Sequence, residues 1–266
     1  MHHYELKFKE MKKHLINCFV LSKPYYMIVL IALVLVSCKK DDETSQVTLN
    51  IEGFWIAQET TTGDCSGSQA TETKTSIYSV EKGTGNAITV TLYPRETELA
   101  GTLIGNEIEW GGTIPTSSGS MLLDFNGTVN NTGQTATGSG TWTWSSNSSS
   151  YECSGTVSVT GSKVIVETVD FTGNWQGTWE SEEYNLDGTF SVQVTQSGST
   201  LSGTIDVPEI GLDNAALKGQ VNGNVVFFGD VGDIIKFVGL LNGTTATGAY
   251  VYPSYSDDGE WTATKQ

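Results

Sequence analysis

Two stretches of this chain align without a gap: Leu99-Ala-Gly-Thr-Leu-Ile-Gly-Asn-Glu-Ile-Glu-Trp110 and Leu217-Lys-Gly-Gln-Val-Asn-Gly-Asn-Val-Val-Phe-Phe228. Both read Leu-x-Gly-x-apolar-x-Gly-Asn-x-apolar-x-aromatic. The match continues outward on either side. Gly53-Phe54-Trp55 answers Gly173-Asn174-Trp175 upstream, and Thr135-Ala136-Thr137-Gly138 answers Thr245-Ala246-Thr247-Gly248 downstream. Landmarks kept in one order and one register mean a duplication, with copies over 51-161 and 170-266. Two copies of this length make tandem domains; a solenoid needs three or more short units.

Inside each copy the hydrophobic period is two. Ile88, Val90 and Leu92 alternate with Thr89 and Thr91, Val157 and Val159 with Thr156 and Ser158, and Phe190, Val192 and Val194 with Ser191, Gln193 and Thr195. Each such strand has one buried and one wet face. Gly105-Asn106, Ser197-Gly198-Ser199, Asn222-Gly223 and Asn242-Gly243 are turn signals between successive runs. The second copy predicts eight strands, near 174-180, 188-196, 200-206, 215-222, 225-229, 233-240, 245-252 and 259-265. Such short connections favour an antiparallel up-and-down meander, because a parallel crossover needs a dozen or more residues. An eight-stranded meander hides its edges by closing. The expected fold is all-β, two tandem antiparallel barrels.

Gly173-x-Trp175, then Asp187-Gly188-Thr189-Phe190 and Gly198-Ser199-Thr200-Leu201-Ser202-Gly203-Thr204-Ile205, resemble the opening third of an avidin-like chain and, more broadly, the small lipocalin-like barrels. The first copy keeps Gly53-x-Trp55 and lacks the Gly-Thr-Phe turn. The resemblance implies that Trp55 and Trp175 plug the closed end of each barrel, and that the work of such a barrel is binding.

The N-terminus reads as an address. Ile28 to Val36 is an unbroken apolar run of nine residues after Lys12, Lys13 and Lys23, the grammar of a secretory signal; a membrane-spanning helix needs about 20. Leu35-Val36-Ser37-Cys38 resembles the lipobox of bacterial lipoproteins, in which the cysteine is lipidated and becomes the first mature residue. Lys39-Lys40-Asp41-Asp42-Glu43 is similar to the export signal that places Bacteroidota lipoproteins on the outer face of the outer membrane. The expected organisation is a signal peptide over 1-37, a lipidated tether over 38-50 and the two barrels, held at the cell outer membrane by lipid and facing the exterior.

Beyond Ser37 the chain keeps 9 basic residues (14 − 5) and 28 acidic ones (30 − 2), a formal charge of −19. That field repels phosphate backbones and anionic headgroups, which argues against nucleic acid as a partner. Cys18 leaves with the signal and Cys38 carries lipid. Cys65 and Cys153 then remain, and in an oxidising compartment they are expected to pair. No histidine lies beyond His14, so a catalytic thiol would have no imidazole base.

Trp142 and Trp144 are two apart, as are Tyr250 and Tyr252, so each pair shares a face of its strand. They pack a core or line a ligand site; if either barrel has an open mouth, they are the rings expected nearest it. The acidic groups Glu180-Glu182-Glu183, Asp230-Asp233 and Asp257-Asp258-Glu260 lack the spacing of an EF-hand loop and read as solvated charge. No Gly-rich phosphate loop, Cys-x-x-Cys pair or Gly-x-Ser-x-Gly elbow is present. The sequence thus points to a non-catalytic surface protein that binds a small apolar molecule, a glycan or a protein, with no cofactor and no metal. The competing readings are an extracellular glycan hydrolase working through paired carboxylates, and a passive spacer.

Overall fold

The computed structural model describes residues 49–65, 69–116, 118–165, 169–181, 184 and 186–266. The signal, lipobox and export-signal expectations fall on residues 1–48, outside that set, as do Glu182 and Glu183.

The alternation seen in the sequence becomes sixteen antiparallel strands. The first eight are β1 (Gly53–Asp64), β2 (Gln69–Lys82), β3 (Ala87–Tyr93), β4 (Thr97–Ile104), β5 (Glu107–Pro115), β6 (Gly119–Val129), β7 (Thr135–Ser146) and β8 (Glu152–Lys163). The second eight are β9 (Gly173–Ser181), β10 (Asp187–Ser197), β11 (Thr200–Val207), β12 (Leu212–Asn222), β13 (Val225–Asp230), β14 (Lys236–Asn242), β15 (Thr245–Tyr252) and β16 (Asp257–Lys265). Each set pairs strand to next strand, and its last strand pairs with its first, closing two eight-stranded barrels. The aligned stretches form the β4–β5 hairpin of one barrel and the β12–β13 hairpin of the other, fourth and fifth strands in both.

One end of each barrel is closed in the same way. Trp55 Nε1 donates to the carbonyl of Ile51 at 2.8 Å, and Trp175 Nε1 to that of Phe171 at 3.0 Å. The residue four positions before each strand tryptophan is thereby folded under the barrel, and Ile51 and Phe171 have no exposed surface. The ring of Phe171 stacks on Trp175 with centroids 4.5 Å apart. Satisfying the indole N–H internally lets a large apolar ring be buried without an orphaned donor.

The two barrels touch through the outer faces of their walls. Phe54, Ile56, Ile77 and Tyr93 of the first meet Val225, Phe227, Val238 and Leu240 of the second in one apolar cluster. Phe227 sits 5.0 Å from Phe54 and 4.9 Å from Tyr93, centroid to centroid. Around this patch Arg95 pairs with Asp258, and Lys236 Nζ donates to Glu96 Oε2 at 2.8 Å. Outward positions that should be wet in a lone barrel are therefore apolar.

The first barrel carries a covalent staple across its closing seam. β1 and β8 pair up to Asp64 opposite Ser154, and the next step of that ladder is the Cys65–Cys153 disulfide, with Cα atoms 4.7 Å apart. Linking the first and last strands closes a long loop in the unfolded chain, which stabilises the fold by about 4 kcal/mol in the chain-entropy model. Replacing both cysteines by serine should lower the stability of the first barrel by roughly that amount and leave the second barrel's transition in place. Chemical denaturation followed separately for each barrel checks this.

Candidate functional site

The same strand register, read in both barrels, places equivalent residues at equivalent depths. Four residues beyond the closing tryptophan, the second barrel has Trp179 and the first has Glu59. Two residues before the partner of that tryptophan, the second barrel has Phe190 and the first has Ser76. Level with Tyr250, paired to Phe237, stands Gly140, paired to Phe125. Level with Trp261, paired to Gly248, stands Val159, paired to Gly138. At four inward positions the second barrel holds an aromatic ring and the first holds a small, aliphatic or acidic side chain.

The consequence is a difference in filling. In the second barrel Phe228 and Phe237 stack at 4.8 Å, Phe190 lies 4.9 Å from Phe237, and Trp261 stands edge-on to Phe228 at 5.3 Å. Tyr250 is 1% exposed. This corrects the placement of Tyr250 at a mouth: it is core, its hydroxyl donating to Asp257 Oδ2 at 2.9 Å beside Ser181, which donates to Asp257 Oδ1 at 2.6 Å. Burial and the neighbouring carboxylate hold the Tyr250 phenol far above its ordinary range. Tyr252 is half-buried and rests on Tyr255, with centroids 4.7 Å apart.

In the first barrel the closed half is packed in the same style. Trp110 stands 4.9 Å from Phe125 and 5.7 Å from Tyr78, and a small apolar cavity of about 50 Å³ remains between Trp55, Val80, Phe125 and Val159. The other half is less completely buried. Glu59, Thr61, Ser76, Met121, Trp142 and Trp144 all face inward by alternation, yet each is only partly buried. The less buried end is also the end stapled by Cys65–Cys153.

Trp142 and Trp144 line this mouth in a defined way. The indole of Trp142 lies over Gly63 and Gly155, where a Cβ on either would collide with it, and its Nε1 donates to the carbonyl of Thr156 at 3.3 Å. Trp144 lies the other way, over Gly119, with its Nε1 donating to Thr116 Oγ1 at 3.0 Å and its ring edge-on to Tyr151. Each ring is laid against the wall over the glycine beneath it, and Trp142 also packs against the core cluster of this barrel. Trp142 is level with Tyr252, while Tyr250 is level with Gly140. The two pairs thus share a strand position, seventh in each barrel, and are two residues out of step.

Glu59 lies deeper than the indoles and was not singled out by the sequence reading. Comparing the aligned copies exposes it, since Gly-x-Trp-x-x-x is followed by Glu59 in one and by Trp179 in the other. Burial pushes its carboxyl above the ordinary range, against the partial attraction of Lys74, its cross-strand partner, and a hydrogen bond with Ser76. Of the other acidic candidates Glu180 and Glu260 are exposed, as expected of solvated charge, and four aspartates have partners. Asp230 Oδ1 accepts from the backbone N–H of Ile234 and Ile235 at 2.7 and 3.0 Å, Asp257 binds Tyr250 and Ser181, Asp258 binds Arg95, and Lys218 binds Asp233. Asp230 and Asp257 are buried, which corrects the reading of them as solvated charge. Among the described residues no group of three or more His, Cys, Asp or Glu side chains could hold a metal ion.

No protein-family model matches the chain, and no curated protein matches it in sequence. A solved structure of a protein of unknown function from the DUF3598 family of Nostoc punctiforme is similar over 83% of this chain and 97% of that one, at 10% identity and a TM-score of 0.24.

The pH behaviour of Glu59 follows from its raised carboxyl. Its proton is held more tightly in the folded state, so the folded state binds more protons between the ordinary carboxylate value of 4.5 and the raised one. Stability therefore falls as pH rises through that window. Glu59→Gln should melt higher than the wild type at neutral pH, and this advantage should vanish below about pH 4.5. Melting curves of both proteins across that range check it.

Proposed function

We propose that this protein is a non-catalytic, lipid-anchored binding protein of the cell surface, which takes a small ligand in the mouth of its first barrel. The observation that carries the proposal is the unequal filling of two barrels with one register. Where the second barrel closes its interior with Trp179, Phe190, Tyr250 and Trp261, the first has Glu59, Ser76, Gly140 and Val159, and two indoles flank the vacated half. A concave site with apolar walls and a few convergent polar groups is the usual form of a small-molecule pocket. Indole faces suit an apolar or sugar-ring surface, and each laid-back ring loses little freedom on binding because it is already held by its N–H bond.

The anchoring part of the proposal rests on Leu35-Val36-Ser37-Cys38 behind a short apolar run. The chain enters β1 at the closed end of the first barrel. Diacylglyceryl labelling of the Cys38→Ala protein tests the anchor: the variant should stay unprocessed and unlabelled, and normal labelling would refute lipidation at that cysteine.

The mouth is tested with Trp142→Ala and Trp144→Ala. As partly buried wall residues they should each cost about 1–2 kcal/mol, short of the 3–5 kcal/mol of a fully buried tryptophan, while lowering capture of whatever co-purifies with the native protein in native mass spectrometry. A large stability loss with capture intact would move the ligand elsewhere.

A further inference from the structure

The mouth holds a carboxylate that the fold does not need. The equivalent position in the second barrel is filled by Trp179, so an eight-stranded barrel of this register packs well with an apolar ring there. Placing a carboxyl at that depth costs stability unless it is paired. Ser76 hydrogen-bonds Glu59 and Lys74, across the strand pair, attracts it in part, but the Lys74 side chain is exposed and neither offsets the burial of the carboxyl. Glu59–Lys74 is not among the ion pairs closed within 4 Å by the described residues, which are Arg95–Asp258, Lys218–Asp233 and Lys236–Glu96. A costly group that packing does not require, at an inward position left only partly buried, marks a functional position.

From this we infer that the mouth of the first barrel recognises an organic cation, an alkylated or primary ammonium, with Glu59 as its counter-ion and the indoles of Trp142 and Trp144 as its walls. The inference rests on the binding reading above and narrows it to one ligand class. Three further features converge on the same charge. Indole faces carry the negative side of the ring quadrupole and attract ammonium groups within about 6 Å. The charged side chains facing the cavity at and above the level of Glu59 are Glu59, Glu72 and Lys74, all from β1 and β2, which leaves it one net negative charge. β3 to β8 present uncharged groups at that level, such as Leu92, Thr97, Met121 and Val157, and the phenol of Tyr78 lies beneath. The body beyond Ser37 carries a formal −19, and such a field raises the local concentration of cations at the mouth.

The raised carboxyl of Glu59 then becomes a handle on binding. A bound ammonium stabilises the ionised form, so cation binding should release a proton at mildly acidic pH and weaken as the pH falls further.

The test is isothermal titration calorimetry on the full chain in maltoside micelles with three probes of one shape. These are choline, its uncharged isostere with carbon in place of nitrogen, and the carboxylate of the same skeleton. Choline should bind about tenfold tighter than the uncharged isostere at neutral pH, and Glu59→Gln should abolish that preference while the variant melts no lower than wild type. Trp142→Ala should weaken every probe that binds, which ties the heat to the mouth. Equal binding of choline and its isostere, unaffected by Glu59→Gln, would overturn the cation inference and leave the mouth as a binding site. Preference for the carboxylate would overturn it in favour of Lys74. Absence of binding by all three probes would remove both this inference and the mouth as a small-ligand site.

Discussion

The interior of an eight-stranded barrel is just wide enough for side chains to fill, and that volume constraint governs most of what differs within this molecule. Inward positions along every strand must together occupy one column of fixed width. The chain meets the constraint with large rings set against glycines on neighbouring strands. Phe190 covers Gly177, Trp261 covers Gly239, Trp179 covers Gly188 and Phe125 covers Gly138, each so closely that a Cβ would strike the ring. A ring laid flat over a glycine protects backbone that would otherwise face a gap, and it fixes the strand register, since a one-residue slip would turn every ring outward. The same device holds Trp142 and Trp144 against the wall in the less buried half of the first barrel.

The sequence made this architecture legible because the constraint has period two. Alternation at Ile88–Leu92 and Phe190–Val194 marked the inward column, and the turn pairs Gly105-Asn106, Asn222-Gly223 and Asn242-Gly243 marked where strands reverse. The tryptophans at Gly-x-Trp were readable as end plugs through the resemblance to lipocalin-like barrels, and both copies carry one. The contact between barrels was not read, although it left a trace: Val225-Val226-Phe227-Phe228 is apolar at consecutive positions, which one-sided burial does not explain. Val226 and Phe228 face the interior while Val225 and Phe227 face the other barrel. Which apolar run on the first barrel receives them depends on how two rigid bodies dock, and no period in the sequence encodes that.

The candidate site was half legible for a related reason. Trp142 and Trp144 stand out by type and spacing, so they could be named, but the same pattern in Tyr250 and Tyr252 gave a core residue. What separates the pairs is the residue two strands along the wall. Tyr250 meets Trp179 edge-on at 5.6 Å, whereas the first copy has Glu59 where Trp179 stands, so nothing of that size faces the mouth there. A side chain is core or wall according to its neighbours two strands away, and those neighbours become visible in sequence only once the two copies are set in register.

This unequal filling also accounts for where the disulfide is. Each replacement of a buried ring by a smaller side chain forgoes about 2–5 kcal/mol of burial and packing, and the first barrel has four such positions relative to the second, one of them carrying a desolvated carboxyl. A domain lacking rings at four of its inward positions gains from bracing outside its core. The Cys65–Cys153 link supplies that at the less buried end, on the seam between β1 and β8, where missing packing would otherwise let the rim fray. At the opposite end Ile51 and Trp55 close the barrel, and along the wall Phe54 and Ile77 lean on the fully packed neighbour. The second barrel, stabilised by its own aromatic column, has no cysteine. The division is consistent throughout: the copy with smaller side chains in its core is the one braced by a covalent bond at its mouth and by its partner at its side.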